Sequence, residues 1–294
     1  MPKVKIIPLA ADSLGTRSMA VYVETADVKI LIDPGVALAG NRNGRPPHPI
    51  EVELMKEEWA KIKSYAEKAD VLIISHYHYD HHNPYEPTLY RDKMVYLKHP
   101  LQKINGSQKK RASFFFKQIG SLPKSIEYSD GRKFEFGKTT IEFSKPVPHG
   151  WDEKLGWVTQ VLIDDGQTKF IFTSDVEGAT RTSQSSFIIL NDPDTCLIDG
   201  PLTYMFGMST KALGKIIKET KRLKTLVVDH HFARDPKWRE KLADVYGAAK
   251  KRNVKLVCTA EFLGKKENLL EPFRKKLFAE HPAEVGKPIC TPWD

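Results

Sequence analysis

VLIISHYHYDHH (Val71–His82) joins a short apolar run to the densest cluster of histidines in the chain. Residues 71–74 are all aliphatic and are followed at once by polar residues, a pattern typical of a buried strand. Four of the ten histidines lie within the seven residues 76–82, beside Asp80. Imidazole and carboxylate groups are common ligands of zinc and related metals, so the segment predicts a metal site.

The spacing within the segment predicts which side chains meet. Side chains two positions apart on an extended chain point the same way, so we expect His76, His78 and Asp80 to converge. His81 breaks this alternation and joins them only if the chain turns near Asp80. Pro84 favours such a turn, or the start of a short helix, because its φ is fixed and it has no N–H donor.

Length and composition favour one domain over residues 1–294. The chain is 40% hydrophobic and contains neither a linker nor a low-complexity segment. No apolar stretch is long enough for a signal peptide or a membrane span, so we expect no membrane association. Cys196, Cys258 and Cys290 form no spacing motif and cannot all pair, which favours the reducing cytoplasm.

The formal net charge is +9, with an isoelectric point near 9.2. Such a charge favours polyanions or acidic substrates as partners. The chain is rich in both Lys and Glu, however, as are heat-adapted proteins with ion-paired surfaces. Basic blocks such as residues 109–111 therefore leave both interpretations open.

Outside this segment, the sequence predicts strands that alternate with helices. Strands are expected at residues 3–9, 20–24, 28–32, 94–97, 126–129, 133–136, 140–143, 158–163, 169–173, 196–198, 226–229 and 256–258. Helices are expected at residues 52–69, 101–118, 209–220 (with Ser209 as the cap), 235–249 and from about Glu267 onward. One pattern recurs, in which an apolar strand ends in Asp or His. It occurs at Asp33, His76, Asp175, Asp199 and His230, and such rigid strand ends suit metal ligands.

Taken alone, Asp33 is either a turn former or a functional carboxylate. Together, however, the motif His76-x-His78-x-Asp80-His81, the loop residue His149 and the strand-end residues Asp175 and His230 resemble the metallo-β-lactamase superfamily. The resemblance extends from Asp33 to His230. The end of the chain and the loop GRPPH at residues 44–48 are also similar to an archaeal branch of that superfamily.

The resemblance implies a mixed α/β (α+β) fold, a four-layer αββα sandwich with metals at one edge of two facing sheets. It implies two divalent metal ions, with zinc as the default and Mn²⁺ or Fe²⁺ accepted by similar ligands. The first ion would be held by His76, His78 and His149, the second by Asp80, His81 and His230, and Asp175 would bridge them. Asp33 would orient a ligand.

His230 and His231 compete for one ligand position. His230 is preferred because it directly follows the strand at 226–229. His231 would then contact substrate or support a ligand.

Two departures from the superfamily pattern limit what the resemblance carries over. Many relatives follow the first motif with glycines, whereas residues 82–84 here are His-Asn-Pro, so their substrate-loop geometry does not transfer. The oxygen-reducing flavodiiron branch carries a carboxylate where this chain has His78, which speaks against redox chemistry.

The expected function is metal-dependent hydrolysis. Two cations about 3.5–4 Å apart hold a water and lower its pKa toward ~7, which provides hydroxide at neutral pH. Asp80 would orient this nucleophile, and His231, His82 or a metal-bound water would protonate the leaving group. The expected partner is a small acidic or phosphorylated substrate, although nucleic acid also fits the charge. The alternative is a non-catalytic metal- or nucleic-acid-binding protein of the same fold.

Four further residues are weaker candidates for contacts with substrate or for support of the ligands. They are His48 and Arg45 in the Gly/Pro/Arg-rich loop, His82 at the end of the first motif, and Tyr204 after the strand that ends at Asp199.

Overall fold

Two β-sheets face each other in the computed structural model, which describes residues 4–42, 44–205 and 207–283. Within these residues, the first sheet has six strands in chain order, antiparallel up to β3 and parallel from β3 onward. They are β1 (Lys5–Pro8), β2 (Val21–Glu24), β3 (Lys29–Ile32), β4 (Val71–Ile74), β5 (Met94–Leu97) and β6 (Ser125–Tyr128).

The second sheet has seven strands within the described residues, in the order β15-β14-β13-β12-β11-β8-β7. Strands β12 to β15 are parallel, and β7, β8, β11 and β12 are antiparallel. The strands are β7 (Lys133–Phe136), β8 (Thr139–Phe143), β11 (Val161–Asp164), β12 (Lys169–Phe172), β13 (Thr195–Asp199), β14 (Thr225–Asp229) and β15 (Lys255–Val257). A separate ribbon pairs β9 (Val147–Pro148) with β10 (Trp157–Val158).

Helices cover the outer face of each sheet. Those described are α1 (Pro49–Lys68), α2 (Gly106–Ile119), α3 (Thr182–Asn191), α4 (Lys211–Glu219), α5 (Trp238–Lys241), α6 (Ala243–Arg252), α7 (Thr259–Phe262) and α8 (Arg274–Glu280). No helix in the described ranges combines the length and the apolar character needed to cross a bilayer.

Strand β4 shows how the layers form. Val71 and Ile73 pack between the two sheets, whereas Leu72 and Ile74 pack on the opposite face with residues of α1 and α2. Because side chains alternate across a strand, burial of both faces requires the continuous apolar run seen in the sequence. A third cluster joins the outer face of the second sheet to α3, α4 and α6. The predicted four-layer αββα sandwich is thus confirmed.

The helices depart from the sequence predictions in several places. The helix expected at residues 235–249 is divided into α5 and α6, and α4 begins at Lys211, with Thr210 and not Ser209 at the cap position. The helix expected from residue 101 begins at Gly106, where the Asn105 side chain accepts a hydrogen bond from the Gln108 N–H. The helix expected from about Glu267 begins only at Arg274, after a 3₁₀ turn at Glu271–Phe273. Helix α3 was not predicted, because its Ser and β-branched residues have low helix propensity.

Candidate metal centre

Strand ends from both sheets meet at one edge of the sandwich. In the first sheet, β3 and β4 run parallel and end in Asp33 and in Ser75-His76. In the second sheet, β12, β13 and β14 run parallel, and Asp175, Asp199 and His230 lie at or just after their ends. Parallel strands present their carboxyl ends on the same side, which is why residues far apart in sequence come together here.

The segment after β4 is a turn and not a continued strand. The strand ends at Ile74, and the N–H groups of His81 and His82 both donate to the carbonyl of His78, at 3.0 and 3.2 Å. The prediction that alternation along extended backbone aligns residues 76, 78 and 80 is therefore wrong. The turn required for His81 is present. The ring centroid of His81 lies 4.2 Å from that of His76.

Gly35, two residues after Asp33, packs tightly against this turn. A Cβ atom at position 35 would lie 2.4 Å from the backbone nitrogen of His82 and 2.6 Å from the carbonyl carbon of His81. The close approach of the two backbones therefore requires a residue without a side chain.

A first ligand group consists of His76, His78, His149 and Asp175, each with one ligand atom within 4.8 Å of the others. The ring centroids of His78 and His149 are 4.8 Å apart. Asp175 Oδ2 lies 2.9 Å from His149 Nε2 and 3.7 Å from His76 Nε2. His149 itself follows the ribbon strand β9.

A second ligand group consists of Asp80, His81 and His230. Asp80 Oδ2 is 3.7 Å from His230 Nε2. The other oxygen of Asp175, Oδ1, lies 3.0 Å from His81 Nε2 and 3.5 Å from His230 Nε2. One carboxylate oxygen of Asp175 thus faces each group.

Buried carboxylates orient three of the imidazole rings through Nδ1. Asp33 contacts His81 at 2.7 Å, Asp12 contacts His230 at 2.7 Å, and Asp199 contacts His231 at 2.9 Å. Such hydrogen bonds fix the ring orientation and leave Nε2 for a ligand or substrate. Asp12 was not singled out from the sequence, because it lies in a polar 3₁₀ turn and not at a strand end.

The ionisation of these residues is strongly coupled. Burial, reinforced by neighbouring histidines, holds the pKa of His76 and of His78 well below the ordinary value. Burial also opposes the charged form of His230, but the Asp175 and Asp12 carboxylates outweigh it and raise the pKa of His230 to about 10. The pKa of Asp175 is held well below its usual range by His81 and His230, against the effect of burial.

The donor set fits divalent cations. Within the described residues, His76 Nε2, His81 Nε2, His149 Nε2 and Asp175 Oδ1 are buried without a hydrogen-bond partner. Each of the three Nε2 atoms lies 2.9–3.7 Å from one or the other carboxylate oxygen of Asp175, close to the separation of roughly 3.3 Å between tetrahedral ligands of one zinc ion. Buried polar atoms are normally paired, so unpaired atoms pointing at one another favour a metal between them.

A cavity of about 300 Å³ opens onto both ligand groups. Its lining includes His78, Asp80, His149, Asp175 and His231. Its remaining lining residues are Arg17, Ala37, Leu38, Tyr79, Arg111, Leu155 and Arg234. None of these three arginines was predicted individually from the sequence, although Arg111 belongs to the basic block at 109–111.

Of the two adjacent histidines, His230 joins the second ligand group and His231 lines the cavity. His231 also falls within ligand distance of Asp175 and His230. Its ring is fixed by both oxygens of Asp199, each 2.9 Å from Nδ1. Burial, with Arg234 and His230 nearby, keeps the pKa of His231 well below its ordinary value.

His82 stabilises the turn. Its Nδ1 lies 2.9 Å from the carbonyl oxygen of His78, and its ring packs edge-on against Tyr77 and Phe115. Burial lowers the pKa of His82 to about 3, so the ring is neutral.

His48 has a structural role in place of the expected contact with substrate. Both ring nitrogens are occupied, Nδ1 by the N–H of Ile50 at the start of α1 and Nε2 by the carbonyl of His281. His48 therefore caps a helix, and its assignment to substrate binding is corrected. The guanidinium of Arg45 lies over Phe278. Tyr204 lies beside Arg42, outside the cavity lining, so its contact with substrate stays a prediction.

Comparison with solved structures identifies the fold. The metallo-beta-lactamase fold protein YhfI from Bacillus subtilis superposes with a TM-score of 0.57 and 17% identity, covering 90% of this chain and 97% of that one. Unliganded yeast PDE1 gives 0.54 and 13%, with coverage of 88% and 97%. CmlA, a diiron beta-hydroxylase from Streptomyces venezuelae, gives 0.54 and 12%, with coverage of 88% and 53%. At such identities the likeness shows the fold alone.

Sequence comparison finds much closer relatives, although no family model matches the chain. A UPF0282 protein of Metallosphaera sedula is 46% identical over 301 residues, covering 98% of this chain and 97% of that protein. One of Korarchaeum cryptofilum is 44% identical over 291 residues, with 97% of each chain covered. These archaeal relatives confirm the predicted archaeal branch. The chain belongs to the UPF0282 protein family and has the metallo-β-lactamase fold.

Proposed function

We propose that this protein is a metal-dependent hydrolase that uses two divalent cations, zinc by preference, and acts on a small acidic or phosphorylated ester. One observation carries the proposal: three buried imidazole nitrogens of the described residues converge on Asp175, and neither they nor Asp175 Oδ1 have a hydrogen-bond partner. Nitrogen and carboxylate oxygen donors are the ligands that zinc takes in catalytic sites.

The two carboxylate oxygens of Asp175 support a pair of ions. Oδ2 faces His76 and His149, which with His78 would hold the first ion. Oδ1 faces His81 and His230, which with Asp80 would hold the second ion. A carboxylate with one oxygen toward each group is suited to bridging two cations.

When bound, the cations would supply Lewis-acid activation of water and of the scissile bond. The chain supplies orientation and proton transfer. Asp80 lines the cavity and is the residue we assign to orient the attacking water. His231 lines the cavity and is held through Nδ1 by Asp199. Because burial keeps its pKa low, His231 is neutral, and we assign it to accept the proton that the attacking water releases and to pass that proton to the leaving group.

The cavity favours a small, negatively charged substrate. Its volume of about 300 Å³ is at the lower end of small-molecule sites. Three arginines in its wall favour an anionic group over a neutral one. Nucleic acid is the less favoured substrate, because it would have to insert a single nucleotide into this cavity.

The first test combines elemental analysis of the purified protein with a screen of phosphomonoesters, phosphodiesters, lactones and thioesters. We expect about two equivalents of a divalent metal and hydrolysis of at least one anionic ester, lost on chelation and restored by zinc. A protein that neither contains nor binds a divalent metal would contradict the proposal.

A pair of variants separates metal binding from proton transfer. His149→Ala should lower metal content, because it removes a ligand of the first group, whereas His231→Gln should retain both ions and lose about 10²–10⁴-fold in turnover. His99→Gln, outside the site, is the control. If His149→Ala still binds two ions as tightly as the wild type, the ligand assignment is wrong.

A further inference from the structure

Helix α2 places one arginine in the wall of the metal-centre cavity. Arg111 is three residues after the buried Gln108 and four before the buried Phe115, so it lies on the inward side of the helix. Its neighbours in the basic block, Lys109 and Lys110, are exposed. Of these three consecutive basic residues, only Arg111 lines the cavity.

The three cavity arginines differ in their partners. Arg17 gives Nε and one terminal nitrogen to the two oxygens of Glu271, both at 2.7 Å. Arg234 is buried and gives its Nε to Asp12 at 2.9 Å. Both guanidinium groups are therefore committed to carboxylates of the protein.

Arg111 has no carboxylate of the described chain within ion-pair distance, in contrast to the other two. Its guanidinium stacks over the ring of Tyr79, 4.9 Å from the ring centroid. Arg111 also shares a side-chain hydrogen bond with Tyr79. Because a guanidinium carries five N–H donors, the rest of its planar edge is left for an oxyanion. Tyr79 belongs to the first metal motif, and Arg111, Tyr79 and His78 line the same cavity.

Hydrogen bonds fix α2 to the loop that carries His149. Asn105 donates to the carbonyl of Lys154 at 2.7 Å, and Gln108 donates to the carbonyl of Leu155 at 2.8 Å. A Cβ atom at Gly156 would lie 2.9 Å from the Gln108 amide, so the two segments are in close contact. The position of Arg111 relative to the first ligand group is thus set before any substrate binds.

We propose that Arg111 is the anion anchor of the site: its guanidinium binds a phosphate or carboxylate group of the substrate on the His78 side of the cavity. This inference rests on the proposed function, because the bound anion would be part of the substrate, but its binding test requires no hydrolysis. Planar guanidinium groups bind both kinds of oxyanion in two-point contacts, so the shared chemistry is an oxyanion with two acceptor oxygens.

Isothermal titration tests the anchor without requiring turnover. Inorganic phosphate and succinate are titrated separately into the zinc-supplemented wild type, Arg111→Gln, Arg111→Lys and the control Arg132→Gln, whose arginine is exposed and paired with Glu127. We expect at least one anion to bind the wild type and the control equally. Arg111→Gln should bind it about 10–100-fold more weakly, the loss typical of a charged hydrogen bond. Arg111→Lys should recover part of the affinity.

The anion that binds more tightly identifies phosphate or carboxylate as the group recognised. The inference is overturned if neither anion binds the wild type, or if Arg111→Gln binds as tightly as the wild type at an unchanged unfolding temperature. If Arg111→Gln does not fold, Arg111→Lys decides by the same criterion.

Binding and hydrolysis can fail separately. Arg111-dependent anion binding in a protein that hydrolyses no ester would leave the anchor in place and refute the proposed function. Ester hydrolysis by a protein whose anion binding does not depend on Arg111 would refute the anchor and leave the proposed function in place. For any ester that is hydrolysed, we expect Arg111→Gln to raise KM about 10-fold or more while kcat changes less.

Discussion

At the scale of single residues, buried carboxylates around the metal centre act through the imidazoles that they orient. Asp33 is fully buried, contacts His81 Nδ1 at 2.7 Å, and accepts hydrogen bonds from the Ser75 N–H and hydroxyl. Because Asp33 itself offers no oxygen to the cavity, its contribution is to fix the His81 ring so that Nε2 points at Asp175.

Replacing Asp33 tests this orienting role. Asp33→Asn should weaken zinc binding by about 10–100-fold, the usual effect of removing a carboxylate behind a ligating histidine. Competition with a chromophoric chelator measures the affinity. Asp164→Asn is the control, because Asp164 is a half-buried carboxylate away from the site that accepts a bond from the Gly166 N–H and lies 3.9 Å from Lys169. Equal zinc affinities for Asp33→Asn and the control would show that the contact is merely structural.

The ionisation of Glu58 on α1 makes the stability of the fold depend on pH, independently of the metal ligands. Burial raises the pKa of Glu58 from 4.5 to about 8, and the hydrogen bond from the Thr16 hydroxyl only partly offsets this effect. The folded state therefore holds the proton more tightly than the unfolded chain. This stabilisation is fully present below pH 4.5 and is lost as the pH rises through about 8.

We expect the free energy of unfolding of the wild type, relative to that of Glu58→Gln, to decrease as the pH rises from 4.5 to about 8. The decrease should be at most roughly 1.4 kcal/mol per pH unit. Urea unfolding at intervals of half a pH unit measures it. Glu57 is the exposed neighbour on the same helix. The pH profile of stability for Glu57→Gln should run parallel to that of the wild type. A wild type and Glu58→Gln with parallel profiles would mean that Glu58 ionises normally.

At the scale of secondary-structure elements, the loop after β3 and the turn after β4 are held together at Gly35. Gly35→Ala should displace the backbone of residues 81–82, because the added Cβ would meet backbone atoms and not a flexible side chain. We expect a loss of about 1–3 kcal/mol in the free energy of unfolding and weaker zinc binding. Gly40→Ala, in the same loop with no atom within 4 Å of its Cβ, is the control. Chemical denaturation and zinc titration of both variants measure these effects.

The elements also show what could be predicted from sequence. Strand β4 was found from its continuous apolar run and helix α1 from its apolar periodicity, because the strand is buried on both faces and the helix on one. Helix α3 was missed, since its residues favour a helix only once they pack on the second sheet. The ligand groups followed from a known motif, whereas the partners Asp12 and Arg234 did not, because the contact between them joins residues 222 positions apart.

At the scale of the whole molecule, the segment at residues 271–280 is tied to the loop before α1. Arg274 is fully buried, and its Nε lies 2.8 Å from Glu51 Oε2. Its terminal nitrogens donate to the carbonyls of Ala39 and Gly40. A charge buried so completely is tolerated only because every donor has a partner.

Arg274→Met should therefore lower the free energy of unfolding by about 3–5 kcal/mol, because it leaves Glu51 buried without its counter-charge. The double variant Glu51→Gln/Arg274→Met should regain part of this loss, and Lys275→Met, at the exposed neighbouring position, should change little. Equilibrium unfolding in urea measures all three. A cost for Arg274→Met no larger than that for Lys275→Met would exclude the ion pair as a stabilising contact.

The ligand groups draw on both sheets, since residues 76–81 follow β4 of the first sheet while Asp175 and His230 follow β12 and β14 of the second. Ions held there would act as reversible cross-links between the two halves of the sandwich. Unfolding would then have to release them, so the protein's resistance to unfolding would rise with the logarithm of the free metal concentration above the dissociation constant. The same geometry that serves chemistry would make the melting temperature of this protein an indicator of the metal available to it.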